Sequence, residues 1–508
     1  MGVDIGTSGT RTLLIDEQGQ AVASASEEHP LSLPQPGWAE QNPVDWVRTA
    51  IASIKAAMAK AGIDGSQVKG IGLSGQMHGS VFLDEANEVI RPALLWCDQR
   101  TQAQCDWITS RIGDDLIKNE LCNPVLTGFT APKVIWLRDE EPANYERLRK
   151  ILLPKDYLRF VMTGEYVTEV SDASGTALLN VPERRWSSDV VSKIGLSMDM
   201  LPEVKESPEV TGTITKAFAE ATGLAEGTPV VGGGGDQAAG AVGNGIVEAG
   251  VVSSTVGTSG VVFAHLEEPS MDEGMRTHTF CHAVPGKWHV MGVVISAGGS
   301  LQWLRNELGK DEIAVAEAMG CDPYELMTAA AEQAPVGSEG LIFLPYLSGE
   351  RTPYPNPNAK GVFCGLTLRH GKPHITRAVM EGVAYSLRDS FELIDAMGVD
   401  ITQVRASGGG ARSKPWVQMQ ADVTGRDHSY INVDEGPAYG VALLAGVGTG
   451  VWSTVPEACN AGIKVVETLE ADRDNMAFYS RGYRTYQSLY AKLEDTFDEL
   501  TELVDLAP

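Results

Sequence analysis

The tetrapeptide Gly-Thr-Ser-Gly occurs twice in this chain, at residues 6–9 and again at 257–260. Each copy lies between two short apolar patterns that are typical of β-strands. The copies are about 250 residues apart in a chain of 508 residues, roughly half its length. A strand–turn–strand unit repeated at this distance predicts two similar domains. We place these domains at 1–246 and 247–508.

The repeated turn has a composition suited to phosphate binding. Its backbone N–H groups and hydroxyls point to one place, where they can surround a phosphate group without a neighbouring cation. Two such turns facing each other would hold the phosphates of a nucleotide between two domains. The alternative is a tight hairpin turn without a ligand, and neither copy fits the Walker-type phosphate loop. The candidate phosphate-binding residues are Gly6, Thr7 and Ser8 in the first turn and Gly257, Thr258 and Ser259 in the second.

Two acidic residues adjoin glycine-rich turns. Asp4 lies in the strand pattern before the first turn, and a carboxylate beside a nucleotide phosphate commonly holds magnesium (Mg²⁺), directly or through water. Asp236 follows four glycines and is the one charged residue between positions 229 and 246. It is suited to accepting a proton from a sugar hydroxyl during phosphoryl transfer. The alternatives are an ordinary turn carboxylate for Asp4 and a helix N-cap for Asp236.

A third glycine run, Gly408, Gly409 and Gly410, follows a strand pattern and precedes a helical one. Such a loop lets a flat base or a phosphate approach the backbone closely. It does not match the dinucleotide-binding pattern of the Rossmann fold. The run can also be a plain connection between strand and helix.

Strand and helix patterns alternate along the chain, which indicates an α/β protein. A helix is predicted at 43–61, with Asn42 as its N-cap and Gly62 at its end. Further strands are predicted at 68–74, 229–231 and 404–407. Only two residues precede Val3, so we expect the first strand to be short at its start.

Composition and charge exclude several classes of function. The formal net charge is −27, and such a surface repels nucleic acids and anionic lipids. No stretch is apolar and long enough to span a membrane, and no secretory signal is visible. The seven cysteines form no CxxC pair, so reduced thiols in the cytoplasm are expected. His278 and His282 lie in a predicted hairpin, which disfavours a metal site, and the acidic run 494–505 is interpreted as a solvated helix face.

Several motifs resemble those of the FGGY carbohydrate kinases, members of the actin-like ATPase superfamily whose two domains have a ribonuclease-H-like α/β fold with a cleft between them. The resemblance covers essentially the whole chain. The similar segments are DIGTSG at 4–9, GWAEQNP at 37–43, LLPKDYLRFVMTGE at 152–165, SDASGT at 171–176, GGGGDQAAGAVG at 232–243, FLPYLSGERTP at 343–353, GVFCGLTLRHGKPHITRAVME at 361–381 and SGGGARS at 407–413.

The resemblance implies ATP-dependent phosphorylation of a sugar, with Asp236 as the catalytic base and Asp4 on the Mg²⁺ side. The glycine loop at 408–410 would carry the adenosine. The motif SGQMHG at 74–79 resembles that of members acting on the ketopentose D-xylulose, whereas glycerol kinases have Arg-Glu at this place. Met77 and His78 would therefore contact the sugar together with Gln237, where many such members have Asn. Both amides can bind a hydroxyl, so specificity for one pentose stays open.

Two other interpretations remain. A related kinase of the same family would act on ribulose, fuculose or a polyol such as arabitol. A nucleotide-dependent switch of the actin-like type would bind ATP without phosphorylating a sugar. For the sugar kinase we expect a cytoplasmic protein whose partners are a small sugar and ATP, with a homodimer as a further possibility.

Overall fold

The N-terminal lobe is a mixed α/β unit that extends from the first strand to the helix that begins at Asp236. A computed structural model describes residues 1–505, with side chains described as far as residue 503. The elements of this lobe are β1 (Gly2–Ile5), β2 (Gly9–Ile15), β3 (Ala21–Glu28), β4 (Glu40–Gln41), α1 (Pro43–Ala61), β5 (Gly72–Gly75), β6 (Val81–Leu83), β7 (Ala93–Leu94), α2 (Gln102–Ile112), α3 (Asp114–Leu116), α4 (Thr130–Glu140), α5 (Pro142–Arg147), β8 (Lys150–Leu152), α6 (Pro154–Thr163), β9 (Val167–Glu169), α7 (Val170–Ser174), β10 (Leu179–Asn180), β11 (Arg185–Trp186), α8 (Ser188–Lys193), β12 (Glu203–Lys205), β13 (Val210–Thr213), α9 (Lys216–Thr222), β14 (Pro229–Val231), β15 (Gly234–Gly235) and α10 (Asp236–Gly243).

The C-terminal lobe begins at Val251. Its elements are β16 (Val251–Val256), β17 (Gly260–Leu266), β18 (His278–Cys281), β19 (Trp288–Val294), α11 (Gly298–Leu308), α12 (Lys310–Met319), α13 (Pro323–Ala331), β20 (Ile342–Leu344), β21 (Val362–Cys364), α14 (Lys372–Ala396), β22 (Gln403–Ser407), α15 (Lys414–Thr424), β23 (His428–Ile431), α16 (Gly436–Gly448), α17 (Val455–Gly462), β24 (Val465–Leu469) and α18 (Arg473–Asp505).

The five strands of the N-terminal main sheet have the same topology as five of the seven strands in the C-terminal main sheet. In the N-terminal lobe the strand order is β15-β5-β1-β2-β3. Strands β15, β5 and β1 run parallel, and β2 and β3 follow antiparallel to their neighbours. In the C-terminal lobe β23, β22 and β16 are parallel, and β17 and β19 are the antiparallel neighbours. The duplication that the two turns predict is therefore confirmed, as is the α/β fold of two similar domains.

Two glycine-rich helices cross between the lobes. Helix α16 belongs to the C-terminal half of the chain but packs on β1, β5 and α10 of the N-terminal lobe. A Cβ atom added at Gly440 would lie 1.8 Å from the Ala239 carbonyl oxygen. Arg11 of β2 forms a salt bridge with Glu435, immediately before α16. Helix α16 and the Arg11–Glu435 salt bridge therefore connect the two lobes. The domain limits at 246 and 247 stay a prediction.

Local signals in the sequence explain where several elements begin and end. Helix α1 has the predicted limits: Asn42 accepts a hydrogen bond from the Val44 N–H, and Gly62 closes the helix in the left-handed conformation. The strand predicted at 68–74 is shorter than expected and shifted, because only Gly72–Gly75 pairs with β1. The C-terminal helix α18 is confirmed, and its acidic end is exposed in the part that the structure describes. Within residues 1–505, no helix combines the length and hydropathy that crossing a membrane requires.

Candidate active site

The parallel strands of the N-terminal sheet bring Asp4 and Asp236 to the same end of the sheet, where these strands have their carboxyl ends. The register aligns Asp4 of β1 with Ser74 of β5, and Ser74 with Gly234 of β15. Two strand spacings separate Asp4 from Gly234, which is about 10 Å. Asp236 follows directly as the first residue of α10, and Gly235 is the N-cap. The alternative role of Asp236 as a helix N-cap is therefore wrong.

Both carboxyl groups have unusually high pKa values. Burial raises the pKa of Asp4 to about 6, against the opposing effects of the Ser74 hydroxyl and Arg11. Burial and then the charge of Asp4 raise the pKa of Asp236 to about 7, although Gln237 partly opposes this. The Gln237 side-chain amide is 3.5 Å from Asp236 Oδ1. A carboxyl group whose pKa lies near neutrality is suited to take up and release protons.

The first turn exposes backbone N–H groups. Gly6 N–H donates to the Gly9 carbonyl oxygen at 2.9 Å, which closes the turn. His29 Nε2 is 3.0 Å from the Gly6 carbonyl oxygen, and the Gln41 amide donates to the Thr7 carbonyl oxygen at 2.7 Å. Within the described residues, the N–H groups of Thr7 and Ser8 have no protein acceptor. These groups are available to an anion.

The second turn has the same sequence but is closed by a shorter hydrogen-bonded loop, and the start of α11 supports it. Gly257 N–H donates to the Ser259 carbonyl oxygen at 2.9 Å. The carbonyl oxygens of Gly257 and Thr258 accept hydrogen bonds from Gly298 and Gly299, respectively. A Cβ atom at Gly298 would lie 2.3 Å from the Gly257 carbonyl oxygen, so only glycine allows this approach. Gly298 and Gly299 carry no recognisable signal in the sequence, because their role depends on contact with residues 41 positions earlier.

The third glycine loop lies next to the second turn. Gly408 has φ +78°, and a Cβ atom there would be 2.7 Å from the Val256 carbonyl oxygen. Gly409, in contrast, has no heavy atom within 4 Å of its Cβ position. Ser413 then caps α15 by accepting a hydrogen bond from the Trp416 N–H. The loop therefore presents an open backbone surface beside the end of β16, where a base or ribose can lie.

Met77 and His78 follow strand β5, and Met77 lies beside the start of α10. The Met77 Cγ atom is 2.8 Å from the Cβ position of Gly235, so Met77 covers the residue before Asp236. His78 has φ +69°, and its Nδ1 is 2.7 Å from the Gly175 carbonyl oxygen. Its ring stacks on Phe129 with 4.7 Å between ring centroids. Burial and then the charge of Lys133 lower the pKa of His78 to about 3, so the imidazole is neutral.

Other residues at this site were missed or given a different role by the sequence analysis. Gly175 leaves room for His78, since a Cβ there would be 2.3 Å from the His78 ring. Trp96 donates a hydrogen bond to Thr7 Oγ1 at 3.0 Å and so contacts the first turn. His278, considered above only as a metal ligand, lies 6.2 Å from Phe129 between ring centroids. Among the described residues, no cluster of three or more metal-ligating side chains occurs.

Comparison with known proteins defines the family. The model of the FGGY family of carbohydrate kinases, N-terminal domain, matches residues 1–243, and that of the C-terminal domain matches residues 252–449. The chain therefore belongs to the FGGY family of carbohydrate kinases.

Two relatives and one crystal structure are similar to nearly the whole chain. A xylulose kinase of Escherichia coli (strain K12) is 40% identical over 97% of this chain and 99% of its own length. A xylulose kinase of Bacillus subtilis (strain 168) is 37% identical, with 97% of each chain covered. The crystal structure of a protein described as a "xyloylose kinase" from Brucella ovis is 35% identical and superposes with a TM-score of 0.88, covering 97% of this chain and 99% of that one.

Proposed function

We propose that this enzyme transfers the γ-phosphoryl group of ATP to the O5 hydroxyl of D-xylulose, yielding D-xylulose 5-phosphate and ADP. The observation that carries the proposal is the position of Asp236. It lies at the edge of the N-terminal sheet, with a pKa of about 7, and Met77 packs against the glycine that precedes it. The relatives described as xylulose kinases match nearly the whole chain, and this supports the choice of acceptor.

The two turns and the glycine loop fit an adenine nucleotide. In the part of the chain that the structure describes, the N–H groups of Thr7, Ser8, Thr258 and Ser259 have no protein acceptor. They would hold the β- and γ-phosphates, and Gly408–Gly410 would hold the adenosine. Asp4 fits a cation, because its buried Oδ1 has no hydrogen-bond partner within the described residues. Mg²⁺ bound there would neutralise negative charge on the phosphates. A protein with net charge −27 repels ATP at long range, so these local groups are needed for binding.

Asp236 acts on the sugar hydroxyl. As the O5–phosphorus bond forms, the carboxylate accepts the hydroxyl proton, and the bond between the γ-phosphorus and the ADP oxygen breaks with its electron pair going to ADP. Gln237 would orient the same hydroxyl, since its side-chain amide lies 3.5 Å from Asp236 Oδ1. Positioning of the reactants provides much of the acceleration in such reactions. Closure of the two lobes would keep water away from the phosphoryl group.

Activity should depend on pH through Asp236. The base must be ionised, and its pKa is raised to about 7. We therefore expect kcat/KM for D-xylulose to rise with pH from 5.5 to 8 and to reach half its plateau near pH 7. The measurement is initial rate at low sugar and saturating Mg²⁺–ATP. A profile that is flat over this range would contradict the assignment of Asp236 as the base.

Replacement of His78 should affect the sugar and leave the nucleotide largely unaffected. In His78→Ala the ring that stacks on Phe129 is lost, together with its nitrogen facing the site. We expect KM for D-xylulose to rise about 10-fold or more, since a buried polar group of the sugar loses its partner. KM for ATP should change less than twofold. The matched control is His374→Ala at the start of α14, and equal effects on both substrates would exclude a sugar contact.

A substrate panel tests the proposed function directly. D-xylulose, D-ribulose, L-fuculose, D-arabitol and glycerol would each be assayed with Mg²⁺–ATP and coupled detection of ADP. The highest kcat/KM should be that for D-xylulose. A higher value for another ketose or polyol would identify a sister kinase. ATP hydrolysis that no sugar accelerates would favour the nucleotide-dependent switch.

The cellular setting follows from the substrates. ATP is supplied inside the cell, so we place the reaction in the cytoplasm. A homodimer stays a prediction, and light scattering coupled to gel filtration would measure it.

A further inference from the structure

Buried side chains of the N-terminal lobe hold the glycine segment that leads to Asp236. The fully buried Arg159 of α6 donates to the carbonyl oxygens of Val231 and Gly232, at 2.6 Å each. These two carbonyl groups have no other route to a charged donor in the segment itself, since Asp236 is its one charged residue. The start of the segment is therefore fixed by a buried cation.

A hydroxyl group contacts the end of the same segment. Gly235 is the N-cap of α10 and directly precedes Asp236. It has no side chain, so neighbouring groups hold it through its backbone. Its buried N–H donates to Ser171 Oγ of α7 at 3.1 Å. Ser171 therefore contacts the residue to which Asp236 is joined.

The direction of the hydrogen bonds at Ser171 is fixed. An N–H group only donates, so the Gly235 N–H uses a lone pair of Ser171 Oγ. The hydroxyl proton is then directed to Glu169 Oε1, which lies 2.9 Å away. The Glu169 carboxylate also accepts from the N–H groups of Ser171 and Asp172, at 2.7 Å and 2.8 Å. Glu169 therefore orients the Ser171 hydroxyl so that a lone pair faces Gly235.

Glu169 belongs to a group of charged side chains without solvent exposure. Lys155 Nζ lies 2.7 Å, 3.3 Å and 3.5 Å from carboxylate oxygens of Asp156, Asp172 and Glu169, respectively, and all four side chains are fully buried. Replacing a buried ion pair by apolar residues is often neutral or stabilising, so stability alone does not explain these charges. A fixed geometry around Ser171 is the explanation that fits their position.

Helix α7 also contacts His78, at its other end. Its C-cap Gly175 has a carbonyl oxygen 2.7 Å from His78 Nδ1. Loss of the Ser171 hydroxyl alone would affect Gly235 and Asp236, whereas displacement of the whole helix would also move His78. The first case lowers kcat, and the second also raises KM for the sugar.

We infer that Ser171 is a positioning residue for Asp236. Its hydroxyl, oriented by Glu169, fixes the Gly235 N–H and so the direction in which the Asp236 carboxylate meets the sugar hydroxyl. A misplacement of about 1 Å can cost about 100-fold in rate. The inference rests on the proposed function, in which Asp236 is the base. It adds a buried residue whose effect on the reaction passes through Asp236.

Ser171→Ala is the first test, because it removes this acceptor of the Gly235 N–H. We expect kcat with D-xylulose to fall about 10-fold or more, while KM for D-xylulose and KM for ATP change less than twofold. The matched control is Ser207→Ala. Ser207 is equally buried and donates to the same Glu169 carboxylate at 3.0 Å, so this variant should keep kcat within about twofold. Equal losses of kcat in the two variants would contradict the inference.

A double-mutant cycle shows whether Ser171 acts through Asp236. Once Asp236→Asn has removed the carboxylate, Ser171 has no base left to position. Adding Ser171→Ala to Asp236→Asn should therefore change the residual turnover less than about twofold, although it lowers wild-type turnover about 10-fold. The same loss in both backgrounds would mean that Ser171 acts independently of Asp236, and the inference would be wrong.

Ser171→Cys separates the hydrogen bond from the packing of the side chain. The thiol fills the space of the hydroxyl, but its sulfur is only a weak acceptor. We expect a melting temperature near that of the wild type and a loss of kcat close to that of Ser171→Ala. A folded Ser171→Cys enzyme with the wild-type kcat would overturn the inference. A wild type without sugar-dependent turnover would instead overturn the proposed function.

Discussion

Asp236→Asn should lower turnover with D-xylulose at least about 100-fold, the usual effect of removing a general base. The amide has the size of the carboxylate but cannot accept the hydroxyl proton. Nucleotide binding should be retained, because the phosphate-binding turns lie in other segments. Turnover would be followed by ADP release, and the affinity for ATP by calorimetry. Turnover near that of the wild type would refute the role of Asp236.

The same variant should be more stable than the wild type at pH 8. In the folded protein the pKa of Asp236 is about 7, against an ordinary value of 3.8. The unfolded chain therefore loses this proton first, and folding stability falls as pH rises from about 4 to 7. Asparagine carries no charge, so its melting temperature should exceed that of the wild type by more at pH 8 than at pH 5. The control is Glu226→Gln, which changes an exposed side chain.

Features specified by short segments could be predicted from the sequence. Asn42, Pro43 and Gly62 set the limits of α1 because each acts within one helical turn. The two Gly-Thr-Ser-Gly turns predicted a duplication, and the matching sheet topologies confirm it. The helix start at Asp236 could be predicted because four glycines precede it, whereas its catalytic role stays a prediction. These signals depend on neighbouring residues, so no knowledge of the tertiary structure was needed.

Features that depend on distant contacts could not be predicted in this way. His278 lies 6.2 Å from Phe129 between ring centroids, although the two residues are 149 positions apart in the sequence. The spacing of His278 and His282 suggested only a metal site or a hairpin, because the hydrogen bond from His278 to Asn123 is invisible in the sequence. Helix α16 follows strands of the C-terminal sheet yet packs on the N-terminal one. Its many small residues gave no indication of the surface that they contact.

The crossing of α10 and α16 leads to the second large expected effect. A Cβ atom at Gly440 would lie 1.8 Å from the Ala239 carbonyl oxygen and 2.9 Å from the Gly243 nitrogen. Gly440→Ala therefore has to move the two helix backbones apart, since no flexible side chain can yield. Overpacking of this kind costs about 1–3 kcal/mol and occasionally more. We expect a lower melting temperature and a loss of turnover, because Asp236 is the first residue of the displaced helix.

Gly240→Ala is the matched control for this prediction, because it places the same methyl group on the other helix of the same crossing. Its Cβ would meet only the Pro437 Cγ atom, at 3.7 Å, an ordinary contact. Alanine is favoured over glycine within helices by about 1 kcal/mol, so Gly240→Ala should be neutral or stabilising and fully active. Opposite changes in melting temperature for the two alanine variants would show that close backbone contact at position 440, and not helix propensity, holds the lobes together. Equal melting temperatures and equal turnover in the two variants would mean that the helices can separate without disturbing Asp236.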